Sequence, residues 1–141
     1  METNKTITED YVSFETAKLL KEKGFNEVCR YEYGVPEVNG GYVLQEFYKP
    51  IQNCELIDTA YTAPTLQMAM KWLRKIHNCI IMIDYDSYES ADDSSITETG
   101  YSFTLQRKEK PTEYEYIHNL VYDTYEEVAE EGIKYCLTKL L

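Results

Sequence analysis

The chain reads as an α+β protein in the order α-β-β-α-β-β-α. About four to five strands form one antiparallel sheet from two hairpins, and three helices pack mainly on one face of it. Three observations carry that reading. Apolar residues recur at spacings of three and four behind Ser13, Pro64 and Thr124, which is the helical period. Between those stretches, aromatic and β-branched residues alternate with polar ones. Turn residues (Gly, Pro, Asn, Asp, Ser) separate the extended runs. No linker, low-complexity tract or repeat interrupts the 141 residues, so they are expected to form one domain, with polar residues 1–12 flexible.

The first helix begins behind Ser13, whose hydroxyl can cap it, and runs to about Lys23 with Phe14, Ala17 and Leu20 facing inward. Gly24 stands where a left-handed residue ends a helix, and Phe25 can touch Leu20 in the contact that accompanies that ending. Residues 28–33 make a strand, 34–41 a turn, and 42–48 the returning strand, stopped by Pro50. Residues 51–60 read as loop with a short extended piece at Leu56 and Ile57.

The central helix covers about residues 61–77, with Pro64 in its first turn. Its stripe is Leu66, Ala69, Met70, Leu73 and Ile76, broadened by Trp72, and Lys71, Arg74 and Lys75 meet the negative end of its dipole. The rest of the chain is expected to pack around it. Residues 79–85 follow as a strand whose unbroken apolar start suits a central position covered on both faces. Residues 86–99, with acids and hydroxyls but no base, read as a solvated, mobile loop. Tyr101, Phe103 and Leu105 alternate with polar residues as a half-buried strand, 108–112 breaks it, and 114–122 adds an edge strand. The last helix starts at Thr124, with Glu127 at capping-box spacing. Its stripe is Tyr125, Val128, Ala129, Gly132, Ile133, Cys136, Leu137 and Leu140.

Composition excludes several function classes. Twenty-five acids against 14 bases give a formal charge of −11, and the bases do not cluster, so binding nucleic acid through its phosphates is disfavoured. The apolar run 79–83 is far short of the ~20 residues a membrane helix needs. The first residues lack a signal peptide's apolar core, and Cys29, Cys54, Cys79 and Cys136 show no paired spacing. These features point to a soluble, cytoplasmic protein with all four cysteines reduced.

No catalytic set is legible. His77 ends the central helix, where a cation is favourable for structural reasons, and a His77–Cys79 base and nucleophile would need both side chains outward on one face. His118 has no motif around it, and Cys136 lies in an apolar stripe. Asp84, Asp86, Glu89, Asp92 and Asp93 resemble a cation loop only loosely. Tyr88 stands where a ligand is wanted and no glycine makes the sharp turn. The glycines at 34–41 join extended segments, so they form no phosphate loop. Neither a metal nor a cofactor is expected. Tyrosine is the enriched residue, at 14. Tyr31, Tyr33, Tyr42 and Tyr48 on the first hairpin and Tyr85 and Tyr101 on the second are the candidate interaction residues; lining a half-buried sheet is the other use for them.

Three segments together, SFETAKLLKEKGF at 13–25, APTLQMAMKWLR at 63–74 and YDTYEEVAEEGIKYCL at 122–137, resemble a group of small bacterial, prophage and phage proteins, especially those of gut anaerobes. The resemblance covers about half the chain and carries over no activity or catalytic residue. It implies a cytoplasmic accessory protein of a mobile element. The expected function is an acidic, non-enzymatic module binding a partner protein or a second copy of itself, with mimicry of DNA by spaced carboxylates as one variant. The rival is a small enzyme with a pocket between sheet and helices, using His77, His118 or a cysteine.

Overall fold

The computed structural model describes residues 6–34, 41–89, 95, 97–116 and 121–141. The chain folds as an α+β structure with three α-helices and, among the described residues, two three-stranded antiparallel sheets.

Helix α1 (Phe14–Glu22) begins where Ser13 accepts a hydrogen bond from the Thr16 amide at 3.3 Å. It ends on Gly24 at φ +93°, with the Gly24 amide donating to Lys21 O at 3.1 Å and the Phe25 amide to Leu20 O at 2.9 Å. This is a Schellman ending, and only glycine adopts that backbone without strain. It turns Phe25 under the core, against Trp72 at 5.3 Å between ring centres.

The first sheet has the order β2-β1-β3, from β1 (Cys29–Tyr33), β2 (Leu44–Ile51) and β3 (Tyr61–Thr62). Tyr31 pairs with Glu46 and Cys29 with Ile51, so two steps along β1 match five along β2. Residues 47–50 therefore swing away from the ladder, which is why Pro50 sits inside β2 instead of stopping it: it owes no ladder N–H there. A 3-10 turn (Asn53–Glu55) precedes Leu56, which is extended as expected, and β3 follows at Tyr61. Buried Asn53 pins this stretch, donating to Phe25 O at 2.8 Å and accepting from the Thr62 amide at 2.9 Å.

Helix α2 (Leu66–Ile76) is capped by Thr65, which accepts from the Met68 amide at 3.1 Å. Pro64 thus precedes the cap and does not form the first turn. Its carbonyl accepts from the Val12 amide, and Asp10 O accepts from the Leu66 amide. Residues 10–12, expected to be loose, are thereby tied to the start of α2, and Val12 is fully buried. Leu66, Ala69, Met70, Trp72 and Leu73 are buried as the stripe implies. Ile76 is 58% exposed, one turn beyond Leu73 and past the edge of the core.

Asn78, at φ +57°, turns the chain from α2 into the second sheet. Its order is β4-β5-β6, from β4 (Cys79–Glu89), β5 (Thr97–Arg107) and β6 (Lys110–Tyr116). Three expectations change here. β4 is an edge strand, not a central one, and Ile80 to Ile83 are all half-exposed. Half of the expected loop at 86–99 belongs to the long β4–β5 ladder, which continues to the Glu89–Thr97 pair. Expected residues 90–94 and 96 lie outside the described residues. The last strand occupies Lys110–Tyr116, entered by a tight turn at Lys108 and Glu109, so Pro111 sits on an edge strand where proline is tolerated. Tyr122 instead makes a separate bridge with Tyr101, each amide donating to the other's carbonyl at 2.8 Å.

Helix α3 (Tyr125–Tyr135), capped by Thr124 through the Glu127 amide at 3.1 Å, continues as a π-helical turn (Cys136–Leu140). Gly132 lets α3 press on the second sheet: a Cβ there would stand 3.0 Å from Ile81 Cγ2. One apolar cluster, with Leu20, Phe25, Trp72, Leu73, Phe103, Val128 and Ile133 among its members, joins the three helices and both sheets. The two-sheet arrangement departs from the single four- to five-stranded sheet that the sequence suggests. The reason is that β1 and β4 each take their partners from their own half of the chain.

Candidate functional site

The six predicted tyrosines fall into unlike environments. Tyr33 is buried; its hydroxyl donates to Val12 O at 2.7 Å and its ring meets the Phe14 edge, so it belongs to the core. Tyr42 is half-buried and stacks on Phe14 at 3.8 Å. Tyr31 leans on Tyr11 at 4.4 Å, with its hydroxyl 3.5 Å from Glu46. Tyr101 lies under Tyr85, which is 63% exposed, with ring centres 4.7 Å apart. Tyr48 is 84% exposed and packs beside Phe47 at 4.6 Å. The structure does not bring the six together.

It does build a cleft of ≈ 320 Å³ beside one of them, Tyr48. The diverging residues 47–50 of β2 form one wall, carrying Phe47, Tyr48 and Lys49, and Leu56 and Ile57 beyond the 3-10 turn form the other. Glu32 lies in its lining. This residue of β1 is only 6% exposed, and the one side-chain hydrogen bond it makes among the described residues comes from Gln45 Nε2 to Oε1 at 3.1 Å. Gly34 makes room for that pair, since a Cβ there would stand 2.8 Å from Gln45 Nε2 and 3.2 Å from Glu32 Oε1. With one neutral amide as its side-chain partner among the described residues, this carboxylate keeps capacity to accept from a cation entering the cleft. The base in the lining, Lys49, is 3.7 Å from Glu55 and lies over the Tyr48 ring at 5.8 Å. With Glu32 and Glu55 against Lys49, the lining is net negative.

The cleft therefore offers a carboxylate beside apolar walls and aromatic faces. That combination suits an alkyl-ammonium or guanidinium group carried on an apolar stem. Glu32, Gln45 and Phe47 were not legible as site residues. An acid inside an aromatic strand run is the one sequence signal, and its burial depends on how β2 diverges.

The rival constellation is dispersed. His77 lies edge-on to Trp72 at 4.6 Å, its Nε2 buried without a hydrogen-bond partner among the described residues. Burial, then the charges of Arg107 and Lys23, hold its pKa below the usual histidine value. His118 lies outside the described residues. The Glu32 cleft contains neither histidine nor cysteine, and a smaller cleft that takes in Cys29, Tyr11 and Arg30 has no carboxylate in its lining. Cys29 itself is pushed up to about 11 by burial, the opposite of an activated nucleophile. Asp84, Asp86 and Glu89 are exposed along β4, while Asp92 and Asp93 lie outside the described residues. Among the described residues no three His, Cys, Asp or Glu side chains are grouped to hold a metal, and no helix is long and apolar enough to cross a membrane.

Comparison with known proteins finds no matching family model, no matching curated protein and no matching solved structure.

Proposed function

We propose that this protein is a non-enzymatic interaction module that engages a basic protein partner through the β2 surface, with a lysine or arginine side chain of the partner entering the Glu32 cleft. The observation that carries the reading is Glu32 itself, an acid 6% exposed at a cleft between Phe47, Tyr48 and Ile57, its side chain hydrogen-bonded there by Gln45 alone among the described residues. A cation from the partner would complete its pairing, and the exposed Tyr48 ring would lie along the stem. The formal charge of −11 supports the same direction, since it steers basic partners towards the chain and repels acidic ones. The resemblance of residues 13–25, 63–74 and 122–137 to phage and prophage proteins suggests the setting: a cytoplasmic accessory protein of a mobile element.

Selection from a random peptide library on the purified chain tests the reading. Peptides with Lys or Arg next to aliphatic residues should be enriched, and Glu32→Gln should weaken their binding at least tenfold. Sequences without basic enrichment, or affinities unchanged in Glu32→Gln, would sink it. A second copy of the chain is the alternative partner, because β2 is an edge strand and exposed edges pair readily. Sedimentation at micromolar concentration and moderate salt separates the two, a 16.6 kDa species leaving only a different protein as partner.

A further inference from the structure

Cys79 and Cys136 are buried in one core cluster, although one opens β4 and the other lies just past α3. Their placement there follows from packing already described. Ile81 lies against Gly132. Cys79 is two residues before Ile81, on the same side of the strand, and Cys136 is four residues after Gly132, on the same side of the helix. Both are essentially inaccessible, at 1% and 0% exposure. Cys136 is the largest single influence on the Cys79 thiol, and Cys79 Sγ donates to His77 O at 3.5 Å. Arg107 pairs with Cys79 across the β4–β5 ladder and donates through Nη1 to Leu140 O at 3.0 Å, over the turn that holds Cys136.

The four cysteines carry no disulfide in this structure. We propose that Cys79 and Cys136 are a reversible dithiol–disulfide site, oxidised by a small disulfide of the glutathione class. The Cys79 thiolate attacks one sulfur of the small disulfide, forming a mixed disulfide and releasing one thiol. Cys136 loses its proton to solvent and attacks the Cys79 sulfur, closing the internal bond and releasing the second thiol. The protein loses two hydrogens and the small disulfide is reduced to two thiols, so atoms and electrons balance.

The electrostatics favour Cys79 as the first nucleophile. Chiefly the Cys136 hydrogen bond, with help from the Arg107 charge, holds Cys79 at about 7 against the upward push of burial. Access requires local opening, and the π-helical turn over Cys136 is the place for it. Two side-chain contacts fasten its end, Arg107 to Leu140 O and Lys23 Nζ to Leu141 O at 3.0 Å. Lifting that turn, with Cys136 and buried Leu137 on it, would uncover Cys79 beneath it as well as Cys136. Oxidation is therefore expected to be slow and to trap the turn in its closed packing.

The test uses the full chain with exposed Cys54 replaced, Cys54→Ser, so that three thiols remain. The chain is incubated overnight at pH 8 with oxidised glutathione, quenched in acid, alkylated in denaturant and weighed. The expected product has lost two hydrogens, takes one alkyl group instead of three, carries no glutathione, and yields a peptide joining positions 79 and 136. Reduced glutathione should restore all three sites. In Cys54→Ser with Cys136→Ser, the internal bond should vanish, leaving at most one glutathione on Cys79. Retention of three alkylatable thiols, or a disulfide that includes Cys29, overturns the proposal.

Discussion

Leu73 and Ile76 occupy the same apolar stripe in the sequence, and truncating each to alanine separates pattern from packing. Leu73 is 0% exposed, whereas Ile76 is 58% exposed. Leu73→Ala removes three carbons from the core, about 2.4 kcal/mol of transfer free energy at ~0.8 kcal/mol per methylene. The cavity left behind adds to this, because the close-packed neighbours on α3 and β4 relax only in part, which brings the expected loss to about 3–5 kcal/mol. Unfolding entropy of about 2.1 cal/mol/K per residue makes each kcal/mol worth roughly 3 °C in a chain of this length, so the melting temperature should fall by about 10–15 °C. Ile76→Ala should stay within about 0.5 kcal/mol of the parent, since little apolar area leaves the core and alanine is the better helix former. Urea denaturation followed by circular dichroism, with calorimetry for the melting temperature, reads both. A Leu73→Ala loss below about 1 kcal/mol, or equal losses for the two variants, would refute the placement of α2 in the core.

Three further outcomes follow from the same contacts. Gly100→Ala should cost about 1–3 kcal/mol in denaturant unfolding, because its Cβ would meet the Val121 side chain and stand 2.7 Å from Tyr122 O, forcing apart the bridge between Tyr101 and Tyr122. Tyr33→Phe should cost about 1–2 kcal/mol by the same measurement, since it strands the Val12 carbonyl that now accepts a 2.7 Å hydrogen bond. The folded chain keeps His77 neutral to lower pH than the unfolded chain does, so the unfolded state binds more protons below about pH 6.5. His77 thus contributes stability that is present above that pH and is lost as pH falls through its folded value. The drop in melting temperature from pH 7.5 to pH 5.5 should accordingly be smaller in His77→Gln than in the parent, and an equal drop would show that burial of His77 does not set it.

The helices were legible because their signals are local. Ser13, Thr65 and Thr124 each cap the amide three residues on, and Gly24 ends α1 through bonds to residues three and five positions back. An interaction confined to one turn of chain is written in consecutive residues. Trp72 and Leu73 were identifiable as core for a related reason: a strong helical stripe has one apolar side, and that side must be covered. The sheets were less legible, since a strand's identity depends on a partner elsewhere. The apolar run at 79–83 looked central but lies on an edge, and the polar run after Tyr85 looked like loop but is held in register against 97–101.

Neither site could be read from spacing. Glu32 is an ordinary strand acid until the divergence of β2 over residues 47–50 encloses it, and that divergence is a matter of register between two strands. Cys79 and Cys136 show no paired motif. What joins them is the close approach of α3 to β4, which Gly132 permits by having no side chain. Sequence by itself determined the caps at Ser13 and Thr124, the ending at Gly24 and which helix faces are apolar, because those follow from contacts within a few residues. Only tertiary structure decided which polar side chain is buried and which thiols share one core cluster, because both depend on contacts between segments far apart in the chain.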